Sequence, residues 1–325
     1  MSDEPIDNLT ALPQRPGLLP SRRRLLALSA GFGATAWLTA LGEEKPGTSG
    51  MITRPIPKSG EVLPVIGLGT YDVFNVGDDP KRRKACAEVL KTLVAGGGKV
   101  VDTAPSYATS ERVVGDLLAA TGLQNRVFLA TKLEDYNRQT AAAQLQLSLR
   151  RLRTHRVDLM QLHNLADPHQ DLSILREWKA QGLCRYTGVT TSYTPDFAAV
   201  ETVLRREKPD FVQVNYSLMD RAAEQRVIPA AAEIGAAVLV DLPFSRYELF
   251  RAVKGRQLPD WAADFDAMSW AQFFLKYLLG NEAVTAVIPG TRNPEHMADN
   301  LAAGRGRLPD AAQRRKMVAF AETLP

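Results

Sequence analysis

The amino-acid sequence predicts an α/β fold, a single closed (β/α)8 barrel over residues 51–325, and three observations support this fold class. From residue 51 onward, short segments rich in β-branched residues alternate with amphipathic helical segments. Eight segments of each kind succeed one another, which favours parallel strands joined by right-handed crossovers. The region is close in length to the ~250 residues typical of such a barrel. A doubly wound open sheet is the alternative for the same alternation.

The predicted elements follow one another in regular order along this region. The strands are expected at Val65–Leu68, Lys99–Asp102, Val127–Thr131, Val157–Leu162, Arg185–Val189, Phe211–Asn215, Ala237–Val240 and Ala286–Ile288. The helices are expected near residues 81–95, 110–121, 138–152, 172–181, 195–207, 222–234, 268–279 and 294–303. Three of these helices carry a proline in the first turns, Pro195, Pro229 and Pro294, where a missing N–H is tolerated.

Two flanking segments complete the predicted domain. Residues Ile52–Pro57 and Glu61–Leu63 lie on either side of Lys58-Ser59-Gly60, as in a β-hairpin, and we expect this hairpin to cover the N-terminal mouth of the barrel. Residues 303–325 are expected to form a loop and a final helix. Gly96-Gly97-Gly98 precede a strand instead of following one, so they indicate a helix-ending turn and not a phosphate-binding loop.

Residues 1–42 are interpreted as a signal peptide and residues 43–50 as a linker. Arg22-Arg23-Arg24 precede a mildly apolar segment, Leu25–Leu41, and Ala40-Leu41-Gly42 offers small residues for cleavage. Paired arginines in this position resemble a twin-arginine (Tat) signal, which predicts transient contact with the Tat export machinery and a periplasmic protein. The alternatives are a buried N-terminal helix, or translation from Met51, which leaves the protein in the cytoplasm.

The composition excludes several classes of protein. With 45% hydrophobic and 23% charged residues the chain is neither disordered nor a polytopic membrane protein. Its 40 basic and 36 acidic side chains give a net charge of +4 without a basic run outside the signal, so no nucleic-acid partner is expected. Cys86 and Cys184 form neither a disulfide framework nor a redox motif and are expected to be buried. No metal site is expected, because no third nitrogen or sulfur ligand accompanies His163 and His169.

In a barrel, chemistry is expected at the carboxyl ends of the strands, where the βα loops gather. Asp102 ends the second predicted strand, and Tyr107 lies in the loop after it. Lys132 ends the third strand and His163 the fourth. The same end also carries the polar residues Gln161, Asn164, Thr190, Thr191, Ser192, Gln213, Asn215, Asp241, Thr291 and Arg292.

Together these four side chains suit proton transfer to a developing alkoxide. A tyrosine has an ordinary pKa near ~10, and a neighbouring ammonium lowers that pKa. An aspartate holds the lysine charged, and a neutral histidine orients a carbonyl oxygen beside the phenol. Because no side chain supplies hydride, a nicotinamide cofactor is implied.

Three segments resemble the aldo-keto reductase family. Val100–Tyr107, followed by Ser110-Glu111, is similar to the family signature around its aspartate and tyrosine. Ala130-Thr131-Lys132 is similar to the lysine strand, and Asp158–Asn164 to the histidine strand. The resemblance extends over about residues 52–303 and implies a (β/α)8 barrel.

The resemblance also implies the roles of the four side chains. Tyr107 is the general acid/base, Lys132 modifies its pKa, Asp102 anchors Lys132, and His163 orients the substrate. Each of these residues has a structural alternative, such as a strand-end cap for Asp102 or loop packing for Tyr107. Their joint appearance in order favours the functional interpretation.

Cofactor positions follow from the same resemblance and favour NADP(H). Gly69 and Thr70 belong to the first-strand motif, Thr190 and Gln213 correspond to carboxamide contacts, and Asn300 to an adenine contact. Thr291 and Arg292 resemble the 2′-phosphate loop, although they also suit an exposed helix cap.

The sequence departs from the family pattern at three of these places. Thr190-Thr191 replaces a common Ser-Asn pair, and His296 replaces a common arginine. Val240–Phe244 replaces a Tyr-Ser-containing loop, so the aromatic residue that stacks on the nicotinamide is absent or replaced by Phe244.

The function expected from these residues is NADPH-dependent reduction of an aldehyde or ketone, or the reverse reaction. The alternative is a nucleotide-binding sensor or tethering protein of the same fold with little turnover. Trp261 and Phe265, in the long loop after the seventh strand, are expected either in the core or in a substrate lid.

Overall fold

The computed structural model describes residues 50–134 and 137–324, so the predicted signal peptide and residues 43–49 of the linker lie outside the described residues. In this part of the chain, eight parallel strands form one sheet in chain order. They are β3 (Leu68–Gly69), β4 (Val100–Asp102), β5 (Phe128–Leu133), β6 (Val157–Leu162), β7 (Cys184–Thr191), β8 (Phe211–Asn215), β9 (Ala237–Asp241) and β10 (Val284–Val287).

Backbone hydrogen bonds close this sheet into a barrel. The N–H of Gly67 donates to the carbonyl of Val287 at 2.9 Å, and the N–H of Val287 donates to that of Val65 at 2.9 Å. Ile66 and Val287 thereby form a parallel bridge between the first and last strands. The predicted (β/α)8 barrel is therefore confirmed, and the open-sheet alternative is wrong.

Helices cover the outside of the barrel. In the described residues they are α1 (Pro80–Ala95), α2 (Ser110–Thr121), α3 (Arg138–Arg151), α4 (Ser173–Ala180), α5 (Phe197–Glu207), α6 (Val227–Ile234), α7 (Glu248–Ala252), α8 (Trp270–Leu279), α9 (Pro294–Ala302) and α10 (Ala311–Ala321). Side-chain caps fix several starts: Asp79 accepts from the N–H of Arg82, and Asn293 from that of Glu295.

The structure refines the predicted helices in three places. Residues 222–225 form a separate 3-10 turn before α6, and Pro195 lies in a 3-10 turn before α5. The short helix α7 follows β9 and has no counterpart in the prediction. The glycine turn is confirmed, because α1 ends at Ala95 and Gly97 has a φ of +89°.

An antiparallel hairpin closes the N-terminal end of the barrel, as predicted. It consists of β1 (Thr53–Pro55) and β2 (Val62–Pro64). Ile56 and Leu63 of the hairpin are fully buried in one cluster with the inward-facing Phe128 and Phe211. Burying each aliphatic side chain is worth about 1.5–3 kcal/mol, so this end is packed and the opposite end is left for chemistry.

Trp261 and Phe265, in the long loop after β9, pack in the core and do not line the cleft, so the lid alternative is wrong for these two residues. Phe265 is fully buried, and the ring of Trp261 packs 5.5 Å from Phe273 of α8 and 6.2 Å from Phe320 of α10. Both aromatic residues therefore belong to the core between these helices.

The prediction that Cys86 and Cys184 are buried is confirmed, and burial raises their thiol pKa values to about 11 and about 12.

Candidate active site

A cleft of about 580 Å³ opens at the carboxyl ends of the strands. This volume is in the range of small-molecule sites. Its lining includes Gly69, Thr70, Tyr71, Asp72, Asp102, Ser106, Tyr107, His163, Asn164, Ser192, Gln213, Asp241, Phe244, Arg246, Tyr247 and Gly290. The structure thus brings together Asp102, Tyr107 and His163, three of the four residues predicted to carry the chemistry, and Lys132 lies directly beneath them.

A buried ion pair forms the floor of the cleft. Lys132 Nζ donates to Asp102 Oδ2 at 2.7 Å and to the carbonyl of Thr103 at 2.9 Å. The Lys132 side chain is fully buried and that of Asp102 is 3% exposed. Burial lowers the pKa of Lys132, but its interactions with Asp102 and Tyr107 outweigh this effect, so the net pKa is raised and the amine stays an ammonium.

The Tyr107 phenol stands beside this ammonium. Lys132 Nζ lies 5.0 Å from the centre of the Tyr107 ring, and the rings of Tyr71 and His163 meet Tyr107 edge-on at 5.0 and 5.9 Å. Burial raises the pKa of Tyr107 to about 12 although Lys132 lowers it, and Asp102 raises it further. Lys132 therefore lowers the pKa of Tyr107, as predicted, but burial outweighs this effect, and Tyr107 is a protonated donor at neutral pH.

A carboxylate that sequence reasoning missed holds the histidine. Glu134 Oε1 lies 2.8 Å from His163 Nδ1 and accepts from the backbone N–H of Ser106 at 3.1 Å. Partial burial raises the pKa of Glu134, but the hydrogen bonds from His163 and Ser106 outweigh it and lower that pKa. An ionised carboxylate only accepts, so Nδ1 carries a proton and, in the neutral ring, Nε2 carries the lone pair.

Two glutamines connect the floor to a second aspartate. Gln161 Nε2 donates to Gln213 Oε1 at 2.8 Å and lies 3.4 Å from Asp102 Oδ1. Gln213 Nε2 bridges Asp102 Oδ2 at 3.5 Å and Asp241 Oδ2 at 3.3 Å. The remaining oxygens, Gln161 Oε1 and Asp241 Oδ1, are buried and accept no hydrogen bond from the described residues.

The environment of Asp241 opposes its ionisation. Burial raises the pKa of Asp241 to about 7, the neighbouring Asp102 raises it too, and Gln213, Lys132 and Arg246 act in the opposite direction. Asp241 is thus a carboxyl group that titrates near neutral pH at the wall of the cleft.

The predicted cofactor residues divide into two groups. Gly69, Thr70 and Gln213 line the cleft, and Thr70 Oγ1 donates to the carbonyl of Asp102 at 2.8 Å. Thr190 is buried within β7 away from the lining, where its carbonyl accepts from Leu165 at 2.9 Å, and Ser192 lines the cleft instead.

The predicted phosphate loop lies beyond the cleft wall, at the start of α9. Thr291 Oγ1 accepts from the N–H of Asn293, the N-cap residue, at 3.0 Å. Arg292 is exposed, Asn300 is buried on α9, and Gly290 is the part of this loop that lines the cleft. A helix N-terminus beside an arginine suits an anion such as a phosphate.

The loop after β9 borders the cleft in an unusual backbone conformation. Leu242, Ser245, Arg246 and Tyr247 all have positive φ values, between 46° and 70°, which are costly for residues other than glycine. The loop places Phe244 in the lining, with its ring 4.8 Å from that of Phe250.

Metal chemistry is without support in the part of the chain that the structure describes. Residues 50–134 and 137–324 contain no group of three or more histidine, cysteine, aspartate or glutamate side chains placed to hold a metal ion. In the same residues no helix is long and apolar enough to cross a membrane.

The model of the Aldo/keto reductase family matches residues 65–246, more than half of the chain. Methylglyoxal reductase YeaE of Escherichia coli is 29% identical over 260 residues, which span 78% of this chain and 89% of that protein. Methylglyoxal reductase DkgB of Salmonella typhimurium is 26% identical over 249 residues, which span 74% of this chain and 87% of that protein.

Solved structures show the same architecture. An aldo-keto reductase from Klebsiella pneumoniae in complex with NADPH superposes with a TM-score of 0.68 at 25% identity, covering 83% of this chain and 95% of that one. The thermostable aldo-keto reductase Tm1743, in complex with the inhibitor epalrestat, gives a TM-score of 0.68 at 24% identity over 83% of this chain and all of its own.

Proposed function

The chain belongs to the aldo/keto reductase family, and we propose that it reduces an aldehyde or ketone to an alcohol with NADPH. One observation supports this proposal most: a protonated tyrosine, Tyr107, beside the buried ion pair of Lys132 and Asp102 in a cleft that His163 also lines. The structural relative that contains NADPH supports the choice of cofactor.

The residues of the cleft fit a nicotinamide cofactor. Asp241, which lines the cleft, carries a buried acceptor, Oδ1, that lacks a donor in the described residues, and the carboxamide of a nicotinamide supplies N–H donors. Gln213 offers a further amide beside Asp241. At the start of α9, Thr291 and Arg292 are the residues that would hold a 2′-phosphate.

Tyr107 is the proton donor in the proposed reaction. When bound, NADPH supplies the hydride that the carbonyl carbon receives. Tyr107 gives its proton to the carbonyl oxygen, and the Lys132 ammonium stabilises the phenolate that forms. Asp102 keeps Lys132 charged and in place at 2.7 Å. The buried pair is therefore set to favour the charge that develops during the reaction.

The hydrogen bond to Glu134 determines whether Nε2 of His163 is a hydrogen-bond acceptor or a donor. With the proton held on Nδ1, the neutral imidazole presents the lone pair of Nε2 and accepts a hydrogen bond. A donor at Nε2 requires the charged ring. His163 therefore orients a hydroxyl as a neutral acceptor, and polarises a carbonyl oxygen only as an imidazolium.

Replacing Tyr107 by phenylalanine tests the proposal. We expect Tyr107→Phe to lower kcat for carbonyl reduction by about 10²–10⁴-fold, because the general acid is lost. NADPH affinity stays unchanged, since the hydroxyl acts on the substrate. Steady-state rates with a panel of aldehydes that starts with methylglyoxal, the compound named for two relatives, measure the first effect. Turnover by the variant at the wild-type rate contradicts the role of Tyr107.

A nucleotide-binding sensor or tether is the competing function. The change of the nicotinamide-stacking loop to Val240–Phe244 is the observation that favours it, because an altered cofactor site can bind without efficient turnover. The same aldehyde panel separates the two: tight NADPH binding by wild-type protein without turnover of any aldehyde supports the sensor.

We also propose that the protein is exported to the periplasm through the Tat machinery. The support is Arg22-Arg23 ahead of the mildly apolar segment Leu25–Leu41. The barrel then acquires its cofactor in the cytoplasm, because the Tat route carries folded proteins. Translation from Met51 is the competing origin of a cytoplasmic protein.

A further inference from the structure

We infer that Asp241 makes the cleft selective for the oxidised cofactor: its carboxylate stabilises the positively charged nicotinamide ring of NADP⁺ over the neutral ring of NADPH. This inference rests on the proposed function. Asp241 lies in the segment Val240–Phe244, where the sequence departs from the family pattern, and its charge affects the direction of the reaction.

The carboxylate of Asp241 has an unused acceptor in the cleft. Asp241 ends β9 and lines the cleft, and its Oδ2 accepts from Gln213 Nε2 at 3.3 Å. Its Oδ1 is buried and accepts no hydrogen bond from the described residues. Asp241 is therefore a residue of the cleft wall whose carboxylate is incompletely compensated by hydrogen bonds.

The charge of Asp241 is also uncompensated by a direct ion pair. Among the described residues no lysine or arginine forms a salt bridge with it, and the nearby Lys132 is engaged by Asp102 at 2.7 Å and by the carbonyl of Thr103. Arg246 acts on Asp241 only through its electrostatic field. With Asp102 neutralised by Lys132, an ionised Asp241 adds a charge of −1 to the wall of the cleft.

The reaction brings the nicotinamide ring to this charge. Hydride transfer needs reacting atoms about 3–3.5 Å apart, and the carbonyl oxygen must lie within hydrogen-bond reach of the Tyr107 hydroxyl. Asp241 is close enough to Tyr107 to raise the pKa of the phenol, and Gln213 joins Asp241 to Asp102 beneath it. The ring that carries the hydride therefore lies within the field of Asp241.

The charge of the ring changes during the reaction. A carbon–hydrogen bond of the neutral dihydronicotinamide breaks, and its electron pair forms a bond to the carbonyl carbon. The carbonyl oxygen receives the proton of Tyr107, and solvent returns that proton to the phenolate. The products are an alcohol and a pyridinium cation. A carboxylate stabilises only that cation, so it favours carbonyl reduction within the complex and slows the release of NADP⁺.

The selectivity increases as Asp241 ionises. The charged and titratable groups that face it are Asp102 on β4, Lys132 on β5, Tyr107 in the loop after β4, and Arg246 in the loop after β9. Because the pKa of Asp241 is about 7 without cofactor, preference for NADP⁺ rises between pH 6 and pH 8. The 2′-phosphate is common to both cofactor forms, so the ratio of their dissociation constants isolates Asp241.

Direct binding measurements test the inference. NADP⁺ and NADPH are titrated into the wild-type protein and into Asp241→Asn by calorimetry and by quenching of protein fluorescence. Asp72→Asn is the matched control, because Asp72 also lines the cleft but lies exposed in the 3-10 turn after β3. We expect Asp241→Asn to weaken NADP⁺ about 10–100-fold at pH 8 and NADPH about twofold or less.

The outcomes separate this inference from the proposed function. In Asp241→Asn the ratio of the two dissociation constants loses its dependence on pH, whereas in Asp72→Asn the ratio follows the wild type. Equal weakening of both cofactors by Asp241→Asn, or an unchanged ratio, overturns the selectivity and leaves the proposed function standing. Failure of the wild-type protein to bind either cofactor overturns both.

Discussion

The buried ion pair makes Lys132→Met the most informative perturbation of the site. The substitution keeps an unbranched side chain of similar length in the same space and removes only the ammonium group. It leaves the buried Asp102 with the longer contacts to Gln161 at 3.4 Å and Gln213 at 3.5 Å. It also removes the ammonium whose charge lowers the pKa of Tyr107.

Two magnitudes follow from this geometry. Breaking a buried pair by removing one partner costs about 3–5 kcal/mol, because the remaining charge is uncompensated. For a domain of this size that loss lowers Tm by roughly 6–20 °C. Without Lys132 the pKa of Tyr107 rises further above about 12, and no cation stabilises the phenolate, so we expect kcat to fall by about 10²–10⁴-fold.

The assay separates stability from catalysis with a second buried lysine. Lys276 is fully buried, but it donates to the carbonyls of Arg305 and Arg307, at 2.6 and 2.8 Å, away from the cleft. Lys276→Met is expected to lower Tm, because each of the two hydrogen bonds that it removes lowers the free energy of unfolding by about 1–3 kcal/mol. Below the unfolding transition the variant should keep the kcat of the wild type.

A double variant tests the electrostatic reasoning itself. Lys132→Met with Asp102→Asn removes both charges, so it should unfold at a higher temperature than Lys132→Met alone while remaining inactive. If the double variant is no more stable than the single one, the unpaired charge of Asp102 is not the source of the loss. If Lys132→Met reduces aldehydes at the rate of Lys276→Met, the proposed role of Lys132 is refuted.

Three further predictions concern charge, cofactor and location. Because the folded protein raises the pKa of Asp241 to about 7, the stabilisation by the protonated carboxyl is complete below pH 4 and is lost as the pH rises through 7. Without cofactor, the free energy of unfolding of Asp241→Asn should therefore exceed that of the wild type by up to about 4 kcal/mol at pH 8 and equal it at pH 4. Denaturant unfolding measures this difference, and parallel pH curves for the two proteins would contradict it. Arg292→Ala should weaken NADPH by about 1–3 kcal/mol more than NADH if the guanidinium contacts the 2′-phosphate, and equal losses in calorimetry would remove it from that site. Arg22→Lys with Arg23→Lys should leave an unprocessed, folded precursor in the cytoplasm, whereas the wild type appears in the periplasm beginning near Glu43; a wild-type protein that stays cytoplasmic and begins at Met51 would refute the export signal.

The sequence predicts the barrel well because its two repeating signals are local. Each strand is a short β-branched segment, and each helix begins near a proline or a capping residue, such as Pro294 after Asn293. The features it misses depend on distant contacts. Residues 222–225 continue an apparently helical segment, yet Tyr216 and Arg314 both hydrogen bond to Glu224 in the folded protein, and this turn separates from α6.

The site shows the same limit. Asp102, Tyr107, Lys132 and His163 can be found from the sequence because a parallel barrel brings all strand ends to one mouth. Glu134 carries only a weak signal, its place two residues after Lys132 at the same strand end, and its contact with His163 depends on a distance of 2.8 Å. The net rise in the pKa of Tyr107 was likewise beyond the sequence, because it depends on how completely the phenol is buried.

The two aspartates of the cleft show why identical side chains differ in function. Asp102 meets an ammonium at 2.7 Å and is part of a neutral pair, which is complete before any ligand arrives. Asp241 lacks such a partner among the described residues, and its ionisation costs stability until a cation enters the cleft. A ligand that binds only the folded state increases the free energy of unfolding by mass action. With the proposed selectivity, an ionised Asp241 therefore couples the stability of the barrel to binding of the oxidised cofactor.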